Sequence, residues 1–238
     1  MRARSELRGR PAVPILNQHG ISPKHRRAIT PPLPAWLTRG FVNRALKQKS
    51  TWDLGNEVLY QLCRRHPEHH KHDEIAAKVW LIGRSYAAAI ERGRGQPAVD
   101  GENFYVDTVA PTIRSARIDR WLAPLGRLNR PDASVVVPAH KRLTDLFAEI
   151  SRQDKRSLAS KYLHFHFPKA VYIFDERVSR GIRLVTPAQH LRELPFKESD
   201  DTYARFYLRC EVFHRDLNTL MGRQLSPREV DTVLLAAV

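Results

Sequence analysis

Cysteine occurs only twice in these 238 residues, at Cys63 and Cys210. Two are too few for a disulfide framework, and reduced core thiols of a cytosolic protein are the expected state. No run of about 18 apolar residues exists, which excludes a hydrophobic transmembrane helix. The N-terminus lacks the apolar core of a secretory signal. Its arginines and near absence of acids are of the transit-peptide kind, but Pro11, Pro14 and Pro23 argue against an amphipathic helix there. Phosphate-loop, dinucleotide, kinase and serine-hydrolase motifs are all missing, and no internal repeat is found. Acidic residues are the other scarcity: 25 Asp+Glu stand against 40 Lys+Arg, a formal net charge of +15.

That surplus implies a polyanionic partner, with nucleic acid ahead of an anionic membrane. Most of it lies at one end. Residues 1–50 contain eleven Lys+Arg and one acid, Glu6, for +10 of the +15, together with six of the 16 prolines. The expectation is an irregular basic arm with few stable elements, able to bind phosphates or to wrap on the body. Val13, Ile15, Leu16, Trp36, Leu37, Phe41 and Val42 are apolar enough to dock on the body. Residues 51–238 then form the body, a chain long enough to bury a sizeable core.

The body reads as all-α. A first helix, capped by Thr51 or Asp53, carries Leu54, Val58, Leu59, Leu62 and Cys63 as its apolar stripe. Four histidines follow at 66, 69, 70 and 72, in an order that fits no closed four-ligand spacing, so a polar loop and no metal are expected. Asp73 opens a helix to about Arg92 with Ile75, Val79, Ile82, Tyr86 and Ile90 inward, widened by Trp80 and Leu81. Arg84 lies inside this apolar segment and needs a carboxylate or a phosphate partner. A helical stretch starts near Phe104, and Arg114, Arg117 and Arg120 repeat at spacing three as a candidate phosphate-tracking face. Leu125 to Pro138 reads as a connection. Leu143, Leu146, Phe147 and Ile150 make a core helix. A long aromatic stripe runs from Tyr203 to Met221 and stops at Gly222. Ser226-Pro227-Arg228-Glu229 is a capping box with proline at the first helical position.

The chemistry is expected between Ser157 and Gly181. Leu158, Tyr162 and Phe165 share a helix face, and Lys161 lies at its edge. A desolvated lysine that loses its proton is an amine nucleophile, whereas a stem that snorkels to water is only packing. Pro168 ends the helix and Ala170 to Phe174 reads as buried extended chain. Asp175 precedes Val178, Ile182 and Val185, which marks it as an N-cap. Held ionised by backbone donors, its carboxylate can stabilise a developing cation.

A helix with an inward lysine, an apolar connection and an aspartate opening the next helix resembles the helix–hairpin–helix DNA glycosylases. The likeness is nearest to the 8-oxoguanine DNA glycosylase branch and related OGG-fold proteins. The segment before the lysine, Asp154 to Ser160, lacks that family's glycines, and the Lys161–Asp175 spacing is shorter than is usual there. The resemblance implies helical bundles of the glycosylase type, with Lys161 as nucleophile at the sugar C1′ and Asp175 assisting it. It also implies a monomer in the cytoplasm or nucleoid that works without a cofactor. Its partner would be duplex DNA carrying a damaged or modified base. The expected DNA contacts are Arg84, His164, Arg114, Arg117, Lys155 and Arg156. The alternative is a helical nucleic-acid-binding protein without catalysis, in which Lys161 snorkels and Asp175 only caps.

Overall fold

The computed structural model describes residues 33–48, 50–92, 104–186, 196 and 199–238. Among these residues there are ten α-helices, one turn of π-helix and no strand, so the body is all-α. The helices are α1 (Arg39–Lys47), α2 (Asp53–Arg65), α3 (His72–Ser85), α4 (Ala110–Ser115), α5 (Ile118–Gly126), α6 (Ala133–Ser151), α7 (Arg156–His166), α8 (Glu176–Val185), α9 (Asp201–Met221) and α10 (Pro227–Ala236). The π-helical turn, Phe104–Val109, runs directly into α4.

Two groups of helices meet. In one, α7 packs against α2, α3 and α6; in the other, α8, α9 and α10 pack on one another, and α6 joins the groups through α9. The residues of α7 from Leu158 to Phe165 are all buried, so it is a central helix with no solvent face along that length. Each fully buried Leu or Phe in it contributes roughly 1.5–3 kcal/mol of hydrophobic stabilisation.

The expected caps form. Ser226 and Glu229 complete the capping box of α10, and Gly222 closes α9 at φ 69°, where only glycine avoids the side-chain penalty. Asp175 caps α8 by accepting from Val178 N (2.9 Å). The stretch from Ala170 to Ile173 is buried, as its sequence implies, but Ala170 lies in a turn with its N–H on Phe167 O (3.0 Å), and residues 171–173 form no regular element. Buried carbonyls without a strand partner need side-chain donors. Tyr207 Oη donates to Ala170 O (2.6 Å), and His164 Nδ1 donates to Val171 O (2.7 Å).

Several expectations are corrected. Residues 1–32 and 49 of the arm, and Pro187 and Leu194-Pro195, lie outside the described residues. The described part of the arm holds a regular helix, α1, which packs on α10 with Leu37 and Val42 buried, so it is ordered by docking despite its neighbouring prolines. In α2 the buried row is Asn56, Leu59 and Cys63, while Leu54 and Val58 are exposed. Its cap is neither Thr51 nor an Asp53 N-cap: Asp53 lies in the first turn and accepts from Ser50 N (2.8 Å).

Helix α3 stops at Ser85, not Arg92. The chain reverses there through Ala87 at φ 51°, with Ala87 N bonded to Arg84 O and Ala88 N to Gly83 O. This is a Schellman closure with alanine in the usual glycine position. A Cβ on Gly83 would lie 3.1 Å from Ala89 Cα, so glycine lets the reversed chain lie on its own helix. Trp80 faces outward, 47% exposed.

The 125–138 connection is shorter than expected. Gly126 still belongs to α5 and α6 already starts at Ala133, so Pro124 and Pro138 sit inside helices. Both prolines and the residues four before them, Arg120 and Ser134, are exposed, and water can take the carbonyls the prolines leave unbonded.

Candidate active site

Lys161 is 2% exposed and does not snorkel. Its Nζ donates to Ser157 Oγ (2.6 Å), one turn earlier on α7, and lies 5.5 Å from the centroid of the Tyr86 ring. Burial pushes its pKa below the ordinary lysine value, opposed by the nearby carboxylates of Asp175 and Asp231. Neither carboxylate forms an ion pair with it; both act through space.

Asp175 and Asp231 come from helices that touch without a gap. A Cβ on Gly181 of α8 would lie 2.6 Å from Leu234 O of α10, closer than real atoms approach, so only glycine permits this crossing. Asp231, on α10, is 3% exposed. Its Oδ2 accepts from Arg228 Nη1 (2.5 Å), and its Oδ1 is buried with no hydrogen-bond partner. Burial raises the Asp231 pKa to about 6, with Arg228 opposing the shift and Asp175 adding to it.

The rest of the cluster comes from α2 and the end of α3. Tyr86 Oη donates to Asn56 Oδ1 (2.7 Å), while Asn56 Nδ2 is buried without a partner. Tyr60 Oη donates to His164 Nε2 (2.6 Å), because His164 Nδ1 must carry the proton it gives to Val171 O. Burial drives the Tyr86 phenol up to about 12 and holds His164 neutral, with a pKa near 4. The site is therefore a water-poor seam between the two helix groups. It holds one lysine, one arginine and two carboxylates, and it leaves one donor and one acceptor unsatisfied.

Beside it lies an open hollow of about 230 Å³, walled by Ala87, Ala88, Ala89 and Leu158 and edged by Arg92, Gln153, Asp154, Lys155 and Ser157. Ser157 belongs to both places: it edges the hollow and its hydroxyl accepts from Lys161.

Lys161 and Asp175 thus share one cluster, but the expected DNA contacts do not join them. Lys155 is buried and donates to Arg92 O (2.7 Å), Ala89 O (3.3 Å) and Gln153 Oε1 (3.2 Å), tying the reversed chain after α3 to the start of α7. Arg156 is occupied by Asp200 and by Asp154 (2.7 Å). Arg84 pairs with Glu91. His164 is fully buried with both ring nitrogens engaged, so it is a core histidine rather than a DNA contact. Arg114 and Arg117 are exposed. Arg117 sits at φ 48° between α4 and α5, so the spacing-three row is broken by a helix junction. Asp119 serves no surface pair; it binds His69, whose Nδ1 donates to Oδ1 (2.6 Å) while Nε2 accepts from Tyr162 Oη (2.8 Å). That buried histidine was read from the sequence as part of a polar loop. Among the described residues no group of His, Cys, Asp and Glu is arranged to hold a metal ion.

Sequence reading missed Asp231, Arg228, Tyr60, Tyr86 and Asn56. One signal was present: Pro227, Val230, Asp231 and Leu234 follow the i, i+3, i+4, i+7 pattern, which puts an acid inside an apolar stripe. No described helix is long and apolar enough to cross a membrane. No protein-family model, curated protein or solved structure matches this chain.

Proposed function

We propose that the body removes a damaged or modified base from DNA. Lys161 is the amine nucleophile and Asp175 the carboxylate that stabilises positive charge on the sugar. The observation that carries this reading is the desolvated Lys161 amine, held by one hydroxyl and flanked by two carboxylates. An ordinary surface lysine is protonated at neutral pH and has no lone pair to offer. Burial lowers the affinity of Lys161 for its proton, as an amine nucleophile requires.

In the reaction, the nucleotide is turned out of the stack. The base–sugar bond breaks, the base leaves with the electron pair, and Nζ bonds to C1′. The nitrogen loses a further proton and its lone pair forms the C1′=N bond as the C1′–O4′ bond breaks; O4′ keeps that pair and takes up a proton, and elimination of the 3′ phosphate from the Schiff base then cuts the strand. The hollow beside Ser157 supports a place for the extruded base, since its alanine wall leaves room for a flat ring and Gln153 and Asp154 offer polar edges. The +15 charge supports grip on the phosphate backbone. The protein then acts as a monomer without a cofactor.

Borohydride trapping tests this on duplexes carrying abasic sites or a panel of modified bases. A covalent adduct is expected with the wild-type chain and its loss in Lys161→Ala. An adduct retained in that variant overturns the role of Lys161. Asp175→Asn is expected to slow capture by about 100-fold or more, the scale of one lost electrostatic contact in a catalytic site.

A second reading is favoured by the 2% exposure of Lys161: a helical nucleic-acid-binding body in which the amine is packing alone. It predicts salt-sensitive DNA binding with no adduct on any duplex.

A further inference from the structure

Resting on the proposed role of Lys161, we propose that Asp231 is the proton acceptor that converts its ammonium to the amine, a second carboxylate supplied by the C-terminal helix. Three observations place it there. Its Oδ2 is fixed by Arg228, which leaves Oδ1 as the oxygen able to take a proton. Oδ1 is buried and unpartnered, although a buried carboxylate oxygen is normally bonded. The hydrogen-only gap between Gly181 and Leu234 sets α10 directly against α8, so Asp231 and Asp175 stand on two helices in contact, and both carboxylates act on Lys161 through space.

The two carboxylates have different duties. Asp175 is held by the backbone N–H of Val178, which fixes its carboxylate at the start of α8 and suits it to balance charge at the sugar. Asp231 has Arg228 on one oxygen and nothing on the other, which suits it to take and return a proton. The transfer balances. Lys161 –NH₃⁺ gives one proton to Oδ1, leaving –NH₂ with its lone pair and a neutral carboxylic acid, as the amine swings off Ser157. The acid returns that proton to Nζ when the lysine is released. Burial works on both partners in the same sense. It lowers the lysine and raises the aspartic acid, so the energy needed to move the proton shrinks.

The charged and titratable groups around the pair come from five elements. They are Asp53, Glu57 and Tyr60 of α2, Tyr86 after α3, His164 of α7, Asp175 before α8 and Arg228 of α10. Of these, His164 is neutral above about pH 4 and Tyr86 below about pH 12. Among the surrounding groups with a shifted pKa, Asp231 is the one whose value, about 6, falls in that range. Asp231 acts through Lys161 and is a positioning residue.

The test needs no DNA. Full-length protein labelled with ε-¹³C lysine is titrated by NMR, and the Lys161 signal is identified by its absence in Lys161→Arg. The expected result is an inflection of the Lys161 signal near pH 6 in the wild type. It should survive in Asp175→Asn and Asp231→Glu and vanish in Asp231→Asn. A Lys161 signal flat through pH 6 overturns the proposal, and so does an inflection that disappears in Asp175→Asn but not in Asp231→Asn. Because the wild-type titration stands alone, a poorly folded Asp231→Asn chain does not remove the test. Failure of borohydride trapping with the inflection intact sinks the glycosylase reading and leaves the lysine–aspartate coupling standing.

Discussion

Three lysines are buried among the described residues, and they are bonded in opposite ways. Lys78 Nζ donates to His66 O (2.8 Å) and Glu68 O (2.8 Å), closing the carbonyl end of α2. Lys155 likewise ties two carbonyls and an amide oxygen. Lys161 donates to one hydroxyl and faces an aromatic ring. An ammonium has three donors, and a buried one left short of acceptors is held at a cost. Lys78 and Lys155 repay their desolvation as architectural clamps, and neither can leave without opening a turn. Lys161 clamps nothing of comparable value. Its neighbours Asp231 and Asn56 also keep unbonded atoms, whereas His69 and His164 near the clamped lysines and core have both ring nitrogens engaged. Unbonded buried atoms occur elsewhere too, at His140 and His166 among others, but the seam sets two of them around a buried lysine that is itself short of acceptors.

The largest expected break in this contrast comes from acid, and it should strike the satisfied region. His69 and His164 titrate near 4 when folded, against 6.5 in an unfolded chain. Between those values the unfolded chain takes up protons that the folded one refuses. Stability present above pH 6.5 is therefore lost as pH falls toward 4, by roughly 5 kcal/mol for the two together. Urea midpoints measured across that range check this, and His164→Gln should remove part of the slope, the rest coming from His69 and from His140, His166 and His214, whose pKa values burial also lowers. Next, Lys78→Met should cost about 2 kcal/mol in chemical denaturation, because two partly buried carbonyls lose their donor. Lys161→Met should stay within about 1 kcal/mol of wild type, since it removes a poorly paired charge and keeps the volume. Equal losses in the two methionine variants would erase the distinction drawn here. The smallest effect is expected at the hollow's wall. Ala87→Gly should stabilise by about 0.5–1 kcal/mol in thermal melts, by relieving the left-handed alanine.

Local signals carried much of the fold. The N-cap Asp175, the box at Ser226 and Glu229, the stop at Gly222 and the buried run from Ala170 depend on a few neighbouring residues, and all formed. What failed needed tertiary knowledge. Helix α2 carries two apolar rows, and nothing within thirteen residues says which one meets the body; Leu54 and Val58 lost to Leu59 and Cys63. The prolines at 124 and 138 were tolerable because they face water, a fact that depends on how α5 and α6 are rotated. The lysine and its first aspartate are neighbours in sequence and were legible. The second aspartate lies seventy residues from the lysine, and only the crossing at Gly181 brings its helix near. Arg156, Lys155 and Arg84 looked like phosphate ligands because charge is visible in a sequence and its internal partner is not.

The closed lid of side chains over Lys161 has a protective consequence. An amine with weakened hold on its proton would, on an open surface, be consumed by any stray aldehyde or acyl donor in the cell. At 2% exposure it is shielded from small electrophiles that merely collide, and the nearest approach from water is the hollow edged by Ser157, so a molecule must settle there and displace side chains before it can touch the nitrogen.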